Sequence, residues 1–246
     1  MTLSELLRPS CALFLDFDGT LVDIALRPDA VQVPPDLVDT LARLQRHLDG
    51  AVAVISGRPI AQIDQLLAPL RLPVAGVHGT ERRRADGSLV QAPVVSLGEA
   101  LRAATRLAAR HAGLRVETKR GALALHYRLA PSMEGECLQV MQEVARSGTG
   151  LALLRGKMVV EVKPAGVSKG RAIEDFMHEA PFSGRDPVFV GDDETDEAGF
   201  VMVQSHGGTG VKVGAGASVA QWRCDDAQQA REQLRRALGA PAPEAR

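Results

Sequence analysis

Aromatic side chains are scarce: only 3% of the 246 residues are Phe, Trp or Tyr. Surfaces that stack unpaired bases depend on such rings, so this scarcity weighs against single-stranded nucleic-acid binding. An excess of positive charge is also missing. Lys and Arg total 29 against 30 Asp and Glu, a net charge of −1, which excludes the basic face a polyanion demands. Cysteine is sparse. Cys11, Cys137 and Cys224 stand far apart with no C-x-x-C pair, so neither a zinc cage nor a disulfide framework is expected. No run approaches the ~20 apolar residues of a membrane span. The apolar stretch Cys11 to Leu15 is too short for a signal segment and runs into Asp16 and Asp18. These absences predict a soluble, cytoplasmic monomer with no nucleic-acid and no membrane partner. With 45% hydrophobic and 24% charged residues the chain is far from disordered compositions, and its length suits one large domain or two small ones.

What is present begins as alternating strands and helices. Ala12 to Phe17, Ala51 to Ile55 and Pro73 to Val77 are short apolar runs, the pattern of strands buried on both faces of a parallel sheet. Between them, Leu37, Leu41, Leu44 and Leu48 carry helical spacing over Pro34 to Leu48, and Pro59 to Leu67 reads as a short helix. The same alternation returns after Pro164. It gives a helix over Val167 to Glu179, a strand over Pro187 to Val190, a helix opened by Gly191 to Glu197, a strand over Thr209 to Val213 and a helix over Ala227 to Leu238. The tail from Gly239, rich in Ala and Pro, is expected to fray.

The middle differs. Helix (Leu97 to Ala112), two strands (Arg115 to Lys119, Ala122 to Arg128), helix (Pro131 to Arg146) and two strands (Leu151 to Leu154, Lys157 to Lys163) make a repeated helix–strand–strand unit. Arg120-Gly121 and Arg155-Gly156 are read as equivalent hairpin turns. On that alignment His126 falls opposite Glu161 and Arg128 opposite Lys163, sharing one face. Leu123, Leu125 and Tyr127, with Met158, Val160 and Val162, are expected to pack on the two helices. The fold class expected is therefore α/β, a Rossmann-like parallel-sheet core (residues 1–95 and 166–246) with an inserted α+β (αββαββ) cap at 96–165.

Ligands of open parallel sheets bind at the carboxyl ends of the strands. Those ends carry Asp16 and Asp18, then Ser56, Gly57 and Arg58, then His78, then Asp192 and Asp193. Converging carboxylates repel unless a cation joins them, and an all-oxygen set suits Mg²⁺. Ser56 and the Gly57 backbone can donate to phosphoryl oxygens, and Lys169 opens a helix whose N-terminus favours an anion. Taken singly, Asp193 or Asp196 also fits a helix cap, Lys169 an exposed helix lysine, and the polar strand face a solvated surface.

Asp16-Phe17-Asp18-Gly19-Thr20 resembles the first motif, DxDGT, of the haloacid dehalogenase-like (HAD) phosphatases. Ser56 resembles their second motif, Lys169 their third and Gly191-Asp192-Asp193 their fourth, in the same order. Ser56-Gly57-Arg58, Gly76-Val77-His78-Gly79, Glu161-Val162-Lys163-Pro164 and Gly191 to Glu197 are similar in particular to trehalose-6-phosphate phosphatases. One departure is Asp23, where that family often has Pro.

The resemblance implies a phosphatase of a sugar phosphate, trehalose 6-phosphate, with Mg²⁺ as cofactor. Asp16 would be the nucleophile, ionised at neutral pH if it keeps the ordinary carboxylate pKa of about 4, and Asp18 the general acid and base. Lys169 and Ser56 would neutralise the phosphate. Mg²⁺ would be held by the Asp16 carboxylate, the Asp18 main-chain carbonyl and Asp192. Asp193 and Asp196 would be outer ligands or orient Lys169. By the resemblance Glu161 and Lys163 would read the sugar beneath the cap, with Arg58 and His78 helping from the core side. His126 and Arg128 join them through the face that the internal repeat gives them in common. Two other readings are a phosphatase of a different sugar phosphate and a phospho-accepting regulatory module. The latter needs neither an acid like Asp18 nor a cap.

Overall fold

A computed structural model describes residues 2–25, 27–93 and 95–239. The tail expected to fray lies, from residue 240 onward, outside the described residues.

In chain order the elements are α1 (Leu3–Leu6), β1 (Cys11–Leu15), α2 (Leu37–His47), β2 (Val52–Ile55), α3 (Ile60–Leu66), β3 (Val74–Gly76), β4 (Glu81–Arg83) and β5 (Leu89–Gln91). There follow α4 (Gly98–Ala108), β6 (Arg115–Lys119), β7 (Ala122–His126), α5 (Glu134–Ser147), β8 (Leu151–Gly156) and β9 (Val159–Pro164). The chain then forms α6 (Lys169–Met177), β10 (Asp186–Gly191), α7 (Glu197–Ser205), β11 (Thr209–Val213), β12 (Trp222–Cys224) and α8 (Ala227–Ala237).

The larger sheet has eight strands in the order β12-β11-β10-β1-β2-β3-β4-β5, parallel from β12 to β3 and antiparallel beyond. Strand order reverses at β1, which lies between β10 and β2, so the crevice of an open α/β sheet falls at the end of β1. Alternate residues serve opposite layers. Leu13, Leu15, Val188 and Val190 pack with Leu41, Leu44, Ile63 and Leu234 on one side. Phe14 and Phe189 pack with Ile173, Phe176, Phe182 and Phe200 on the other. Five of the six phenylalanines lie in that second layer, with Phe14 and Phe182 stacked at 5.4 Å. The few rings are thus spent on the core.

The smaller sheet runs β6-β7-β9-β8, all antiparallel. Leu123, Leu125, Val160 and Val162 bury one of its faces on α4 and α5. Among the described residues, no helix is long and apolar enough to cross a membrane.

Several expectations need correction. The helix read from Pro34 begins at Leu37, because Pro35 disfavours helical backbone at the residue before it. The helix read to Ala112 ends at Ala108. Arg155-Gly156 is not the second hairpin turn: Gly156 pairs with Val159, so the turn is Lys157-Met158. Met158 adopts a positive φ of 63° there and is 38% exposed rather than packed on a helix. The repeat therefore aligns two residues later than read, bringing Lys163, not Glu161, into the place of His126. The shift is even, so the assignment of faces survives. Arg128 lies in a turn beyond the end of β7. β4, β5 and β12 are additional to the sequence reading.

Candidate active site

Asp16 directly follows β1. Its backbone N–H still donates to the Val190 carbonyl at 2.9 Å, so the loop leaves the sheet at a fixed point. Its carboxylate is buried, and Oδ1 accepts from Lys169 Nζ at 2.6 Å. Lys169 begins α6, which is capped by the Ser168 side chain accepting from the Arg171 N–H. The same ammonium donates to Asp196 Oδ1 at 2.7 Å. Asp196 is fully buried, and its other oxygen accepts the backbone N–H groups of Asp192 and Asp193 at 3.0 and 2.9 Å. With both oxygens committed, Asp196 fixes Lys169 and the Asp192 loop. Asp193 caps the turn that follows, accepting from the Glu194 N–H at 2.6 Å.

Burial pushes the Asp16 carboxyl well above the ordinary range. Lys169 only partly offsets this, and Asp196 and Asp192 add to it. Burial and then Asp196 likewise push Asp192 up to about 6. The ordinary carboxylate pKa assumed for Asp16 therefore does not hold in the metal-free site. Burial opposes the charge on Lys169, yet Asp16 and Asp196 outweigh it and hold the ammonium firmly protonated.

Oxygens of Asp16, Asp192 and Asp196 lie within 4.8 Å of one another. Three clustered carboxylates, those of Asp16 and Asp196 buried and that of Asp192 partly so, face one ammonium, and a hard dication relieves the crowding of negative charge. Gly19 makes room for this arrangement: at φ 85°, a Cβ there would sit 2.2 Å from Asp192 Oδ2. The donor set thus fits Mg²⁺, with Asp16 and Asp192 as the carboxylates that have oxygens to spare.

Asp18 faces the same opening and is held by Arg58, whose Nε and Nη2 each donate to it at 2.7 Å. Arg58 also lies 5.8 Å from the centre of the Phe17 ring. Ser56 is fully buried, and its Oγ accepts the Arg58 N–H at 3.0 Å, leaving its own O–H to donate. His78 adopts a left-handed φ of 56° and rests on Gly57, where a Cβ would lie 2.7 Å from the imidazole. Burial pulls His78 below its ordinary pKa, against the pull of Glu161.

A cavity of about 460 Å³ opens over these residues. Asp16, Asp18, Arg58, His78, Lys169 and Asp192 line it from the larger sheet, with Gly57 and Asp193. His126, Arg128 and Glu161 line it from the smaller one. Ser56, Lys163 and Asp196, also expected at the site, do not line it. Lys163 is buried and donates to the Val167 carbonyl, and burial lowers its pKa to about 8.

Sequence reading missed Lys119 and Glu117. Lys119 Nζ donates to Glu161 Oε1 at 2.7 Å, and Glu117 bonds His126 Nε2 at 2.8 Å. Burial opposes the charge on Glu161, but Lys119 and then His78, 3.3 Å away, hold its carboxyl far below the usual range. The period-2 alternation applied to β7 would have found both residues on β6. Lys212, also missed, is buried and donates to the main-chain oxygen of Asp192.

The trehalose-phosphatase family matches residues 14–231. The trehalose-6-phosphate phosphatase of Escherichia coli (strain K12) is 46% identical over 214 residues, 86% of this chain and 80% of that protein. The C-terminal domain of the Candida albicans trehalose-6-phosphate phosphatase superposes with a TM-score of 0.85 at 22% identity, covering 96% of this chain and 95% of that one. A phosphatase of the HAD superfamily from Bacteroides thetaiotaomicron shares the fold at a TM-score of 0.66 and 17% identity, covering 95% of this chain and 96% of that one. Match and geometry together place this chain in the trehalose-phosphatase family, on the fold of the HAD phosphatases.

Proposed function

We propose that the protein hydrolyses trehalose 6-phosphate to trehalose and inorganic phosphate through an aspartyl-phosphate on Asp16. The observation that carries this reading is the buried Asp16 carboxylate, bonded to Lys169 at 2.6 Å, at the floor of a cavity roofed by a second polar sheet face. In the first step an Asp16 oxygen attacks phosphorus, and the bond from phosphorus to the sugar oxygen breaks. Asp18 gives its proton to that departing oxygen. In the second step Asp18 takes a proton from water, which attacks phosphorus and frees Asp16.

Lys169, which lines the cavity, holds phosphoryl oxygens while Asp196 keeps it in place, and Ser56, buried behind the lining, holds the Arg58 backbone. Both oxygens of Asp18 are engaged by Arg58 in this arrangement. Sugar hydroxyls competing for Arg58 release Asp18 for proton transfer. Asp16, Asp192 and the Asp18 main-chain carbonyl would hold Mg²⁺, which would supply charge cancellation to the phosphoryl group.

Residues 96–165 act as a lid on a core of 1–95 and 166–246. The contact between His78 and Glu161, and the Lys157 N–H donated to Asp193 at 3.2 Å, support closure over the strand ends. His126, Arg128 and Glu161 read sugar hydroxyls from the lid. Lys163, two residues beyond Glu161 along the same face of β9 and outside the cavity lining, donates to the Val167 carbonyl. Three free, buried cysteines support a reducing, cytoplasmic setting.

The deciding experiment measures phosphate release from trehalose 6-phosphate and from a panel of other sugar phosphates. It is run with Mg²⁺ and with a chelator, for the wild type and Asp16→Asn. Mg²⁺-dependent turnover that prefers trehalose 6-phosphate and vanishes in the variant is expected. Faster turnover of another ester by orders of magnitude would replace the substrate, and persistent phosphate retention without turnover would favour a phospho-accepting module.

A further inference from the structure

The roof of the cavity is a ruled surface. Arg115, Glu117 and Lys119 are alternate residues of β6 and line the cavity in one row. Beside them on β7, His126 pairs with Arg115, Ala124 with Glu117 and Ala122 with Lys119. Beyond, on β9, Val159 pairs with His126 and Glu161 with Ala124. The two alanines leave a trough between longer polar side chains.

The row has a near end and a far end. Lys119 bonds Glu161, which meets His78, and Asp18 contributes to holding the Lys119 charge, so Lys119 marks the phosphate end. Arg115 lies four residues along the strand, ~14 Å away at ~3.4 Å per residue. A single hexose held by its phosphate reaches only part of that row, whereas two joined hexoses reach its end.

The far end is furnished from both sides. Arg27, Ile24 and Val31 line the cavity from the segment after β1, and Leu114 and Leu129 line it from the smaller sheet's side. Arg27 holds Asp29 with two hydrogen bonds, of 3.1 and 2.8 Å. That bond is the main reason the exposed Asp29 carboxyl sits below its ordinary pKa, and Arg115 adds a smaller share from across the mouth. Arg115 is exposed, and its guanidinium makes no hydrogen bond among the described residues. It is therefore a donor fork at the far end of a polar row, opposite a second fork on Arg27.

We propose that Arg115, opposite Arg27 and Asp29, binds the second, unphosphorylated hexose and so sets the preference for a disaccharide 6-phosphate over a monosaccharide 6-phosphate. This rests on the trehalose 6-phosphate reading. Arg115 acts on specificity and touches no reacting atom.

The test is the ratio of kcat/KM for trehalose 6-phosphate to that for glucose 6-phosphate, measured with Mg²⁺ for the wild type, Arg115→Ala and Arg115→Lys. Loss of charge-assisted hydrogen bonds to one sugar ring should lower the ratio about 10- to 100-fold in Arg115→Ala. Arg115→Lys should recover part of it. Inhibition by trehalose should weaken in Arg115→Ala more than inhibition by inorganic phosphate. An unchanged ratio, or equal weakening of both inhibitors, overturns the assignment. Failure of the wild type to prefer trehalose 6-phosphate overturns the functional reading itself, so the two failures are distinguishable.

Discussion

Gly19→Ala tests the site through a single methyl group. Gly19 has φ 85°, and a Cβ built there lies 2.2 Å from Asp192 Oδ2 and 2.3 Å from its Cγ. An ordinary carbon–oxygen contact needs about 3.3 Å, so the Asp192 carboxylate must retreat by about 1 Å. Two costs follow, and they differ in kind. Forcing an L residue into left-handed backbone costs about 1–2 kcal/mol. For a chain of this size that lowers Tm by about 2–8 °C. Displacing a positioned group by about 1 Å costs on the order of 100-fold in rate. The Asp192 main chain is held, its oxygen by Lys212 and its N–H by Asp196, so the retreat falls on the side chain and carries the carboxylate away from its place beside Asp16. The expected outcome is therefore disproportionate: a modest fall in Tm with a loss of about two orders of magnitude in Mg²⁺-dependent phosphate release. Thermal unfolding and a phosphate assay across Mg²⁺ concentrations read both. Turnover and Mg²⁺ dependence close to wild type would show that the Asp192 carboxylate does no work where it stands. A collapse in Tm with matching loss of all activity would show that Gly19 serves the fold rather than the site.

Two further predictions concern pH. Asp192 is pushed up to about 6 in the metal-free protein, so protons compete with the cation below that pH. A raised acid in the folded state means that the Asp192 contribution to metal-free stability falls as pH rises from the ordinary carboxylate range to about 6. Added Mg²⁺ should accordingly raise Tm more at about pH 8 than at about pH 5, and an equal increment at both would contradict the acidic site. Lys163 is buried with its pKa lowered to about 8, so the folded state releases this proton before the unfolded state does. Its penalty is complete below about pH 8 and fades as pH rises toward the ordinary lysine value near 10.5, a change on the order of 3 kcal/mol. Urea unfolding should show wild type gaining on Lys163→Met across that window, and parallel curves would refute the buried charge.

Much of the core was legible because its signals are local. Ala12 to Leu15 is an apolar run ended by Asp16, and a parallel strand buried on both faces has no other pattern to show. The β4–β5 hairpin was not legible for the opposite reason. Glu81-Arg82-Arg83 looks solvated, yet Arg82 and Arg83 are buried by pairing with Glu179 and Asp64. Glu179 is far along the chain from Arg82, and no window on the sequence joins them. The leucine spacing suggests a helix from Pro34, although a residue before proline avoids that backbone and the helix starts at Leu37. Gly156 invites a turn in the second hairpin, because glycine accepts left-handed backbone. The chain instead turns at Lys157-Met158, with Met158 in left-handed backbone.

By itself the sequence determined which groups stand at the strand ends, since each apolar run stops at a named polar residue. It also determined that the middle strands carry one polar and one apolar face, since side chains alternate along a strand whatever the register. The tertiary structure alone decided partnership. Asp196 rather than Asp193 holds Lys169, Arg58 engages Asp18, and Lys119 meets Glu161. It also bonded Lys163 to Val167, outside the cavity lining. Each of these depends on distances of a few ångströms between segments far apart in the chain. Hydrogen bonds and charge interactions fall away over just such distances, so only the folded arrangement fixes them.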